Sequence, residues 1–432
     1  MTERLYYEGS FLRRFDARVT DIREASRTDG VSIWQIALDR TAFYPTSGGQ
    51  PCDTGSLTTS SRGGALLDAT VESVEEDEHG TIWHFTRKPV TAGTEITGEI
   101  NWSRRMDHMQ QHTGQHLLSA VFAREMQAPT ASFHLGDAVS TIDLAVGPIA
   151  HHSIERVEQI ANELIAEDRA VTVKTVERAE ADAMLADGRL QKLPERGGRI
   201  RLIEIADYDL NACGGTHVRS TGQIGGLLVR SVEKVSRGIR VEFVCGQRAM
   251  KTARHDFTTL SQAAAELSIA RDSVPAAIGR MKQERKQAEK ERQRLRSELA
   301  SYHSVRLVVE EQIKGGLRLV NRSFDDRDAD YVRLLAQDLT ASAPRTVAVL
   351  TSEETWPARL VLAKSGDVNL HCGDLLREIA ERYGLRGGGS SEAAQTDVPK
   401  EHLDGLRDEL EAEVCARCRL RAGRTSSGPR AV

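Results

Sequence analysis

Short alternating runs fill the first ninety residues. From Leu5 to about Val90, segments such as SIWQIALDR and TIWHFTR switch between apolar and polar residues and are separated by glycine-rich breaks. A period of two belongs to strands with one buried face, so this stretch is expected to form a small β-rich domain. Between Asn101 and Val244 the period changes repeatedly. Spacings of three and four predict helices over 106–126, 154–168 and 178–185, while VSTIDLAV, AVTVKTV, RIRLIEIA, GGLLVRSVEKV and IRVEFVC read as strands; the mixture points to an α+β domain. From Arg248 to Val305 glycine and alternation almost vanish, and QERKQAEKERQRLRSEL, built from strong helix formers, predicts one long helix. Beyond Arg306, strands in VRLVVEEQI, RTVAVLTS and RLVLAKS alternate with helices near 329–341 and 372–383. This α/β pattern closes in LRGGGSSEAAQ, read as a glycine turn feeding a helix start. An amphipathic helix, HLDGLRDELEAEVCARCRL, and a tail of disordered composition, RAGRTSSGPRAV, complete the chain.

Length and charge narrow this picture. A chain of 432 residues is too long for one comfortable core, so two to four domains are expected. With 58 Lys and Arg against 63 Asp and Glu, a net of −5, any nucleic-acid surface has to be a local patch. One candidate is Gly279–Leu299, where eight basic residues face four acidic ones. A solvated coiled-coil face and a contact with phosphates or with another protein both fit that excess. MTERLYYEGS has no export-leader pattern and no run approaches 18 apolar residues, so a cytoplasmic protein without a membrane span is expected. Six scattered cysteines then read as free or metal-bound rather than bridged, and the Cys415–Cys418 pair, with no second pair nearby, as free thiols.

The chemistry begins in HMQQHTGQHLL. His112 and His116 stand four apart on a predicted helix and can aim at one point. In NACGGTHVRS the same separation recurs as Cys213 and His217, across two glycines that let the backbone bend. Three imidazoles and a thiolate suit tetrahedral zinc better than magnesium or calcium, which prefer oxygen. Spacing leaves open whether such an ion is structural or catalytic. A metalloprotease is disfavoured, because Thr113 stands where the zincin helix carries its glutamate.

Together, His112-Thr-Gly-Gln-His116 and Cys213-Gly-Gly-Thr-His217 resemble the paired signature of the alanyl-tRNA synthetase editing domain and its free-standing AlaX-type trans-editing relatives. TAFYPTSGGQPCDTGSL is similar to that family's N-terminal segment through Phe43, Tyr44, Pro45, Gly48, Gly49, Gln50, Asp53, Thr54 and Gly55. TGQIGGLLVRSVEKVSRGIRVEFVCG resembles the family's segment C-terminal to the cysteine-histidine pair, and LRGGGSSEAAQ the glycine motif of the C-terminal DHHA1 domain. The likeness runs over roughly residues 1–395 in family order. No stretch resembles an aminoacylation domain or a phosphoesterase signature, and ATP binding is not expected.

The resemblance implies a multidomain α+β protein: an N-terminal β-barrel (1–95), a zinc-binding editing domain (96–248), a long helical connector (249–305), a DHHA1-like α/β domain (306–396), and a helix with its tail (397–432). It implies zinc-dependent hydrolysis of mischarged aminoacyl-tRNA(Ala), carrying serine or glycine, with His112, His116, Cys213 and His217 as ligands. A pocket built for alanine rejects serine or glycine only about 10- to 200-fold, so a second site must hydrolyse the wrong ester. Such a site can select serine through a polar group that alanine leaves unpaired. Candidates for that contact are Thr130, Ser132 and His134, where many editing domains carry a glutamine ahead of a glycine, then Thr113 and Gln115; Gly48, Gly49 and Gln50 would lie near the tRNA acceptor end. Arg280, Arg285, Lys286, Arg292 and Arg296 on the basic helix, with Arg386, Gly387, Gly388 and Gly389, are the candidate tRNA contacts. A homodimer through the connector or the C-terminal domain is compatible with the family. The competing reading is a tRNA-binding or scaffold protein in which zinc only holds a domain together.

Overall fold

A computed structural model describes residues 2–28, 31–60, 66–194 and 198–422. The chain is a mixed α+β, multidomain protein with a closed six-stranded barrel and eight α-helices among the described residues. It divides into two compact units, 1–266 and 267–432.

The first unit opens with the barrel: β1 (Arg14–Thr28), β2 (Val31–Leu38), β3 (Gly55–Ser60), β4 (Leu66–Glu76), β5 (Ile82–Thr86) and β6 (Glu95–Ile100). All neighbours in the order β1-β2-β5-β4-β3-β6 are antiparallel, and β6 closes onto β1. Alternation works as the sequence pattern predicts. Val19, Ile36, Leu38, Leu57, Val71, Val74, Ile82, Ile96 and Ile100 belong to one buried core, and residues beside them such as Thr70, Glu72 and Glu95 are exposed. The last strand carries the barrel to Ile100, beyond the expected boundary at 95.

The rest of this unit is organised around α1 (Trp102–Met126), capped by the Asn101 side chain, which accepts from the Arg104 N–H, and closed by Gln127 in a left-handed conformation. From His108 to Phe122 this helix is buried on nearly every side. Two sheets and two further helices complete this part. Strands β7 (Thr130–Leu135), β8 (Ser140–Leu144), β12 (Leu227–Val235) and β13 (Gly238–Cys245) form one sheet in the order β12-β13-β8-β7; β9 (Val171–Val176), β10 (Ile200–Ile205) and β11 (Asp209–Ala212) form the other. Helix α2 (His151–Ala166) packs on α1, and α3 (Arg178–Ala186) covers a small separate cluster. Barrel and α1 are joined by a fully buried ion pair. Arg105 donates to both oxygens of Asp53 and to the carbonyls of Ser10 and Ala42, while Asp53 also accepts from the Tyr44 N–H. Such a pair adds little net stability, but breaking it costs about 3–5 kcal/mol.

The single helix expected over Arg248–Val305 is two, α4 (Gly246–Glu266) and α5 (Val274–Glu310). Pro275 supplies the reason: it lacks an N–H and sits in the first turn of α5, where none is needed, after Ser268 has left the helical region at φ 52°. VRLVVE of VRLVVEEQI, read as a strand, is the end of α5. Ala300, Ser304 and Leu307 pack inward at helical spacing, and helix propagation carries the valines with them.

The second unit has a five-stranded sheet ordered β14-β15-β16-β18-β17, from β14 (Arg318–Phe324), β15 (Thr346–Ser352), β16 (Ala358–Lys364), β17 (Gly387–Gly389) and β18 (Ala393–Val398). Helix α6 (Ala329–Ser342) joins the parallel pair β14 and β15 and, with the end of α5, covers one face; α7 (Cys372–Arg382) and α8 (Leu403–Ala422) cover the other. Strand β14 is absent from the sequence-based expectations. The glycine run is no turn feeding a helix but an edge strand paired to β18, and the residues expected to start that helix lead into β18 itself. Its smallness serves close packing: a Cβ on Gly389 would lie 2.2 Å from the Ala393 carbonyl oxygen. The expected disordered tail lies, from residue 423, outside the described residues. Among the described residues no helix is long and apolar enough to cross a membrane.

Candidate metal centre and its cleft

His112 and His116 come from the middle of α1, and Cys213 and His217 from the loop after β11. Their ligand atoms all lie within 4.8 Å of one another. The loop can close over α1 because residue 215 is glycine: a Cβ there would stand 2.2 Å from Cε1 of His112. Arg201 fixes the loop from behind, donating to the carbonyls of Cys213 and Gly215 at 2.8 Å and to that of Tyr7 at 3.1 Å.

Each imidazole has an acceptor on its Nδ1 side. Nδ1 of His112 donates to Gln50 Oε1 at 2.8 Å, Nδ1 of His217 lies 3.2 Å from the Thr113 hydroxyl, and Nδ1 of His116 lies 3.7 Å from the Asp209 carboxylate, close enough for an ion pair but not for a hydrogen bond. Nε2 of His112 and of His217 are each 3.4 Å from the Cys213 sulfur. Bond lengths of about 2.0 Å to nitrogen and 2.3 Å to sulfur in a tetrahedron give an N···S edge of about 3.5 Å. The four residues therefore fit zinc in donor type, spacing and orientation, with carboxylate, amide and hydroxyl partners behind the imidazoles.

Electrostatics prepare the same site. Burial opposes the Cys213 thiolate, yet His112 and His217 beside it hold the thiol well below its usual range. Burial and the neighbouring His112 push His217 down to about 3. Burial also opposes charge on His116, but Asp209 and Cys213 outweigh it and raise that imidazole to about 10. Loading a cation here displaces a proton from His116.

His116 and Cys213 also border a cleft of about 480 Å³, whose wall includes Gly48, Gly49, Gln115, Ser119, Thr130, Phe133, Asp209 and Asn211. Thr130 and Gln115 both donate to the Ser119 hydroxyl, at 2.7 and 2.9 Å. Ser132 and His134 are not part of this wall. Strict alternation would put 130, 132 and 134 on one face, but a bulge opposite Asp143 and Leu144 shifts the strand by one residue. Thr130 turns into the cleft with Phe133, while Ser132 bonds to Asp143 and His134 is exposed. Gly48 and Gly49 form a turn with positive φ facing the cleft, whereas the Gln50 side chain is wholly buried between His112 and Thr216. Thr113 is likewise buried, accepting from the Val218 N–H. Asp209, Ser119 and Arg201 carry no local sequence signal; only the fold brings them here.

On α5, Arg280, Arg285 and Lys286 are exposed and make no ion pair among the described residues, while Arg292 pairs with Glu289 and Arg296 with Asp328. Arg386 is exposed, and Gly387–Gly389 pair in the sheet rather than forming a turn.

Known proteins resemble the chain over most of its length. The family described as threonyl and alanyl tRNA synthetase second additional domain matches residues 200–241, and that described as tRNA synthetases class II (A) matches residues 2–104. The second match covers the barrel, where no synthetase aminoacylation stretch was expected. An alanine–tRNA ligase from Pyrococcus abyssi is 32% identical over 411 residues, spanning 91% of this chain and 42% of that protein. One from Natronomonas pharaonis is 31% identical over 418 residues, covering 95% of the chain and 43% of the ligase. The chain thus spans about two fifths of the ligases it matches. An alanyl-tRNA editing protein AlaX-L from Pyrococcus horikoshii is 28% identical over 425 residues, which are 96% of this chain and 100% of that protein.

Proposed function

Taking as premise that this chain is of the AlaX type, the kind of protein it matches from end to end, we propose that it hydrolyses mischarged aminoacyl-tRNA(Ala) in trans, releasing serine and, as a second substrate, glycine. The observation that carries the reading is a zinc-type ligand set standing on the wall of an open cleft. A purely stapling site needs no cleft, so this disfavours the scaffold reading.

His112, His116, Cys213 and His217 would hold zinc, which when bound supplies Lewis acidity toward the ester carbonyl and lowers the pKa of water. The chain's own groups do the rest. Gln50, Thr113 and Asp209 keep the imidazoles oriented, Phe133 gives the aminoacyl end an apolar wall, and Ser119, with Thr130 and Gln115 bonded to it, offers the polar group that reads the serine hydroxyl. Gly48 and Gly49 leave the cleft wall bare of side chains where the terminal ribose would enter. Water adds to the ester carbonyl carbon, the bond to the ribose oxygen breaks, and that oxygen takes the proton.

The remaining assignments extend this reading. On this reading the barrel (1–95) and the editing domain (96–248) fall within the first unit, the connector (249–305) spans both units, and the DHHA1-like domain (306–396) falls within the second. Arg280, Arg285, Lys286 and Arg386 are exposed cations suited to tRNA phosphates. Leu295, Leu299, Tyr302 and Val309, exposed on α5 at spacings of four, three and seven, suit pairing with a second copy. Purified protein incubated with labelled seryl-, glycyl- and alanyl-tRNA(Ala), with and without a chelator, tests the function. Release of serine and glycine that chelation abolishes is expected; no release from any substrate would leave the scaffold reading in its place.

A further inference from the structure

Two arginines of the first unit are fixed in place without a carboxylate to hold them. The Arg13 guanidinium lies 4.1 Å from the centre of the Trp102 ring and that of Arg219 lies 4.2 Å from the Phe11 ring, while the two rings meet at 5.4 Å and 54°. The four side chains form a ladder, Arg13-Trp102-Phe11-Arg219. The rings pack against the core around α1, and both arginines are exposed. Elsewhere in this unit, Arg104, Arg105, Arg169, Arg240 and Arg248 each grip an aspartate or glutamate. Arg13 and Arg219 make no ion pair among the described residues.

Their backbones are equally fixed. The Arg13 carbonyl accepts from the Ile100 N–H and the Arg219 carbonyl from the Val171 N–H, both at 2.8 Å. A guanidinium held over an aromatic ring with no carboxylate partner has N–H groups left to donate, and its fork of N–H groups matches the paired oxygens of a phosphate. The unit thus carries two pre-oriented anion contacts in a chain of net charge −5.

The ladder is also close to the metal centre. Arg219 lies two residues beyond His217, and Trp102 begins the helix that carries His112 ten residues later. Ten helical residues span about 15 Å, roughly four stacked nucleotides at ~3.4 Å each.

We propose that this ladder binds the phosphates of the single-stranded 3′ end of the RNA whose aminoacyl terminus enters the cleft, a proposal resting on the reading that the substrate is an aminoacyl-tRNA. The arginines supply charge and the rings hold that charge in register, so binding here is salt-dependent and independent of base identity.

The test uses the full-length zinc-loaded protein, its R13Q/R219Q and R13K/R219K variants, and fluorescently labelled uncharged tRNA(Ala), with affinity measured across salt concentration. Zinc content and thermal unfolding confirm that the variants are folded. Each single-strand phosphate contact contributes ~0.7 to the slope of log affinity against log salt. For R13Q/R219Q the slope should become shallower by about 1.4 and low-salt binding about tenfold weaker, whereas R13K/R219K should keep the slope. With tRNA lacking its four 3′-terminal nucleotides, wild type and R13Q/R219Q should bind alike. An unchanged slope in R13Q/R219Q, or an equal defect on the truncated tRNA, overturns the proposal. Because uncharged tRNA is the probe, either result is separable from a failure of the deacylase reading, which would show as intact tRNA binding without release of any amino acid.

Discussion

Replacing Gln50 by leucine separates two roles that the sequence could not. The side chain is buried, its Oε1 accepts from His112 Nδ1 at 2.8 Å and from the Thr216 N–H at 3.1 Å, and its Nε2 donates to the Thr216 hydroxyl at 2.8 Å. Leucine fills similar space and makes none of these bonds. Losing the partner behind a metal-binding imidazole costs about 10- to 100-fold in metal affinity, or about 1.4–2.7 kcal/mol. The stranded Thr216 N–H adds about 1–3 kcal/mol of instability even without metal. Glutamate keeps the acceptor, and the Thr216 hydroxyl can turn to donate to it, so Gln50→Glu should stay near wild-type zinc affinity. Competition with a chromophoric chelator measures zinc affinity, and thermal unfolding of the metal-free protein measures the second effect. Were Gln50 a substrate contact, as its glycine-flanked position suggests, Gln50→Leu would raise KM and leave zinc alone. Zinc affinity within twofold of wild type, alongside a raised KM, refutes the positioning role.

Two more perturbations test the surroundings. His84, buried in the barrel, donates from Nδ1 to the Ile36 carbonyl and accepts at Nε2 from Thr41, and burial lowers its pKa from 6.5 to about 4. The unfolded chain takes up this proton as pH falls below 6.5, while the folded one refuses it until about 4. Stability is therefore full above 6.5 and declines by about 3 kcal/mol across that window. Denaturant unfolding at pH 7.5, 5.5 and 4.5 should show that decline in wild type and a shallower one in His84→Gln; parallel curves would count against a neutral buried imidazole. In Gly215→Ala the added methyl would meet His112 at 2.2 Å and Gln50 Oε1 at 2.9 Å. Zinc content by elemental analysis should then drop well below one equivalent with the fold retained by circular dichroism, and full occupancy would contradict the packing.

How much of this is legible in the sequence depends on the range of the interaction. The four candidate ligands are visible because each pair is local, four residues apart on a helix or across two glycines. Their partners are not, since Gln50, Thr113 and Asp209 become partners only through contacts that cross the fold. The same limit explains the strand after α1. Alternation puts Thr130, Ser132 and His134 on one face, and only the pairing with β8 reveals the extra residue that sends Thr130 to the cleft and the other two away. Local apolar content misleads at VRLVVEEQI, because valines that favour strands are carried by a helix already propagating and held by Ala300 and Leu307. LRGGGSSEAAQ misleads in the opposite sense. Its glycines report how closely β17 approaches β18 and α7, an approach that pattern alone cannot distinguish from a turn.

The burial of α1 links fold and site more tightly than the ligand spacing does. Gln111, His112 and Thr113 are almost wholly enclosed, and each finds its partner on a distant segment: Gln111 on the backbone of Cys245, His112 on Gln50 of the barrel region, Thr113 on His217 and Val218. An enclosed polar group without its partner costs about 1–3 kcal/mol, so the helix is favourable in this position only when the barrel, the β13 strand and the Cys213–His217 loop are all in place. The cluster is asymmetric as a result. His112 and His217 are backed by Gln50 and Thr113 and face protein, whereas His116 and Cys213 border the cleft. A site evolved only to staple the fold would gain from protein on every side, because water at a thiolate–metal bond invites exchange and oxidation. Leaving one flank open, beside Phe133 and the hydroxyls of Ser119 and Thr130, makes sense if something must reach the ion from that side.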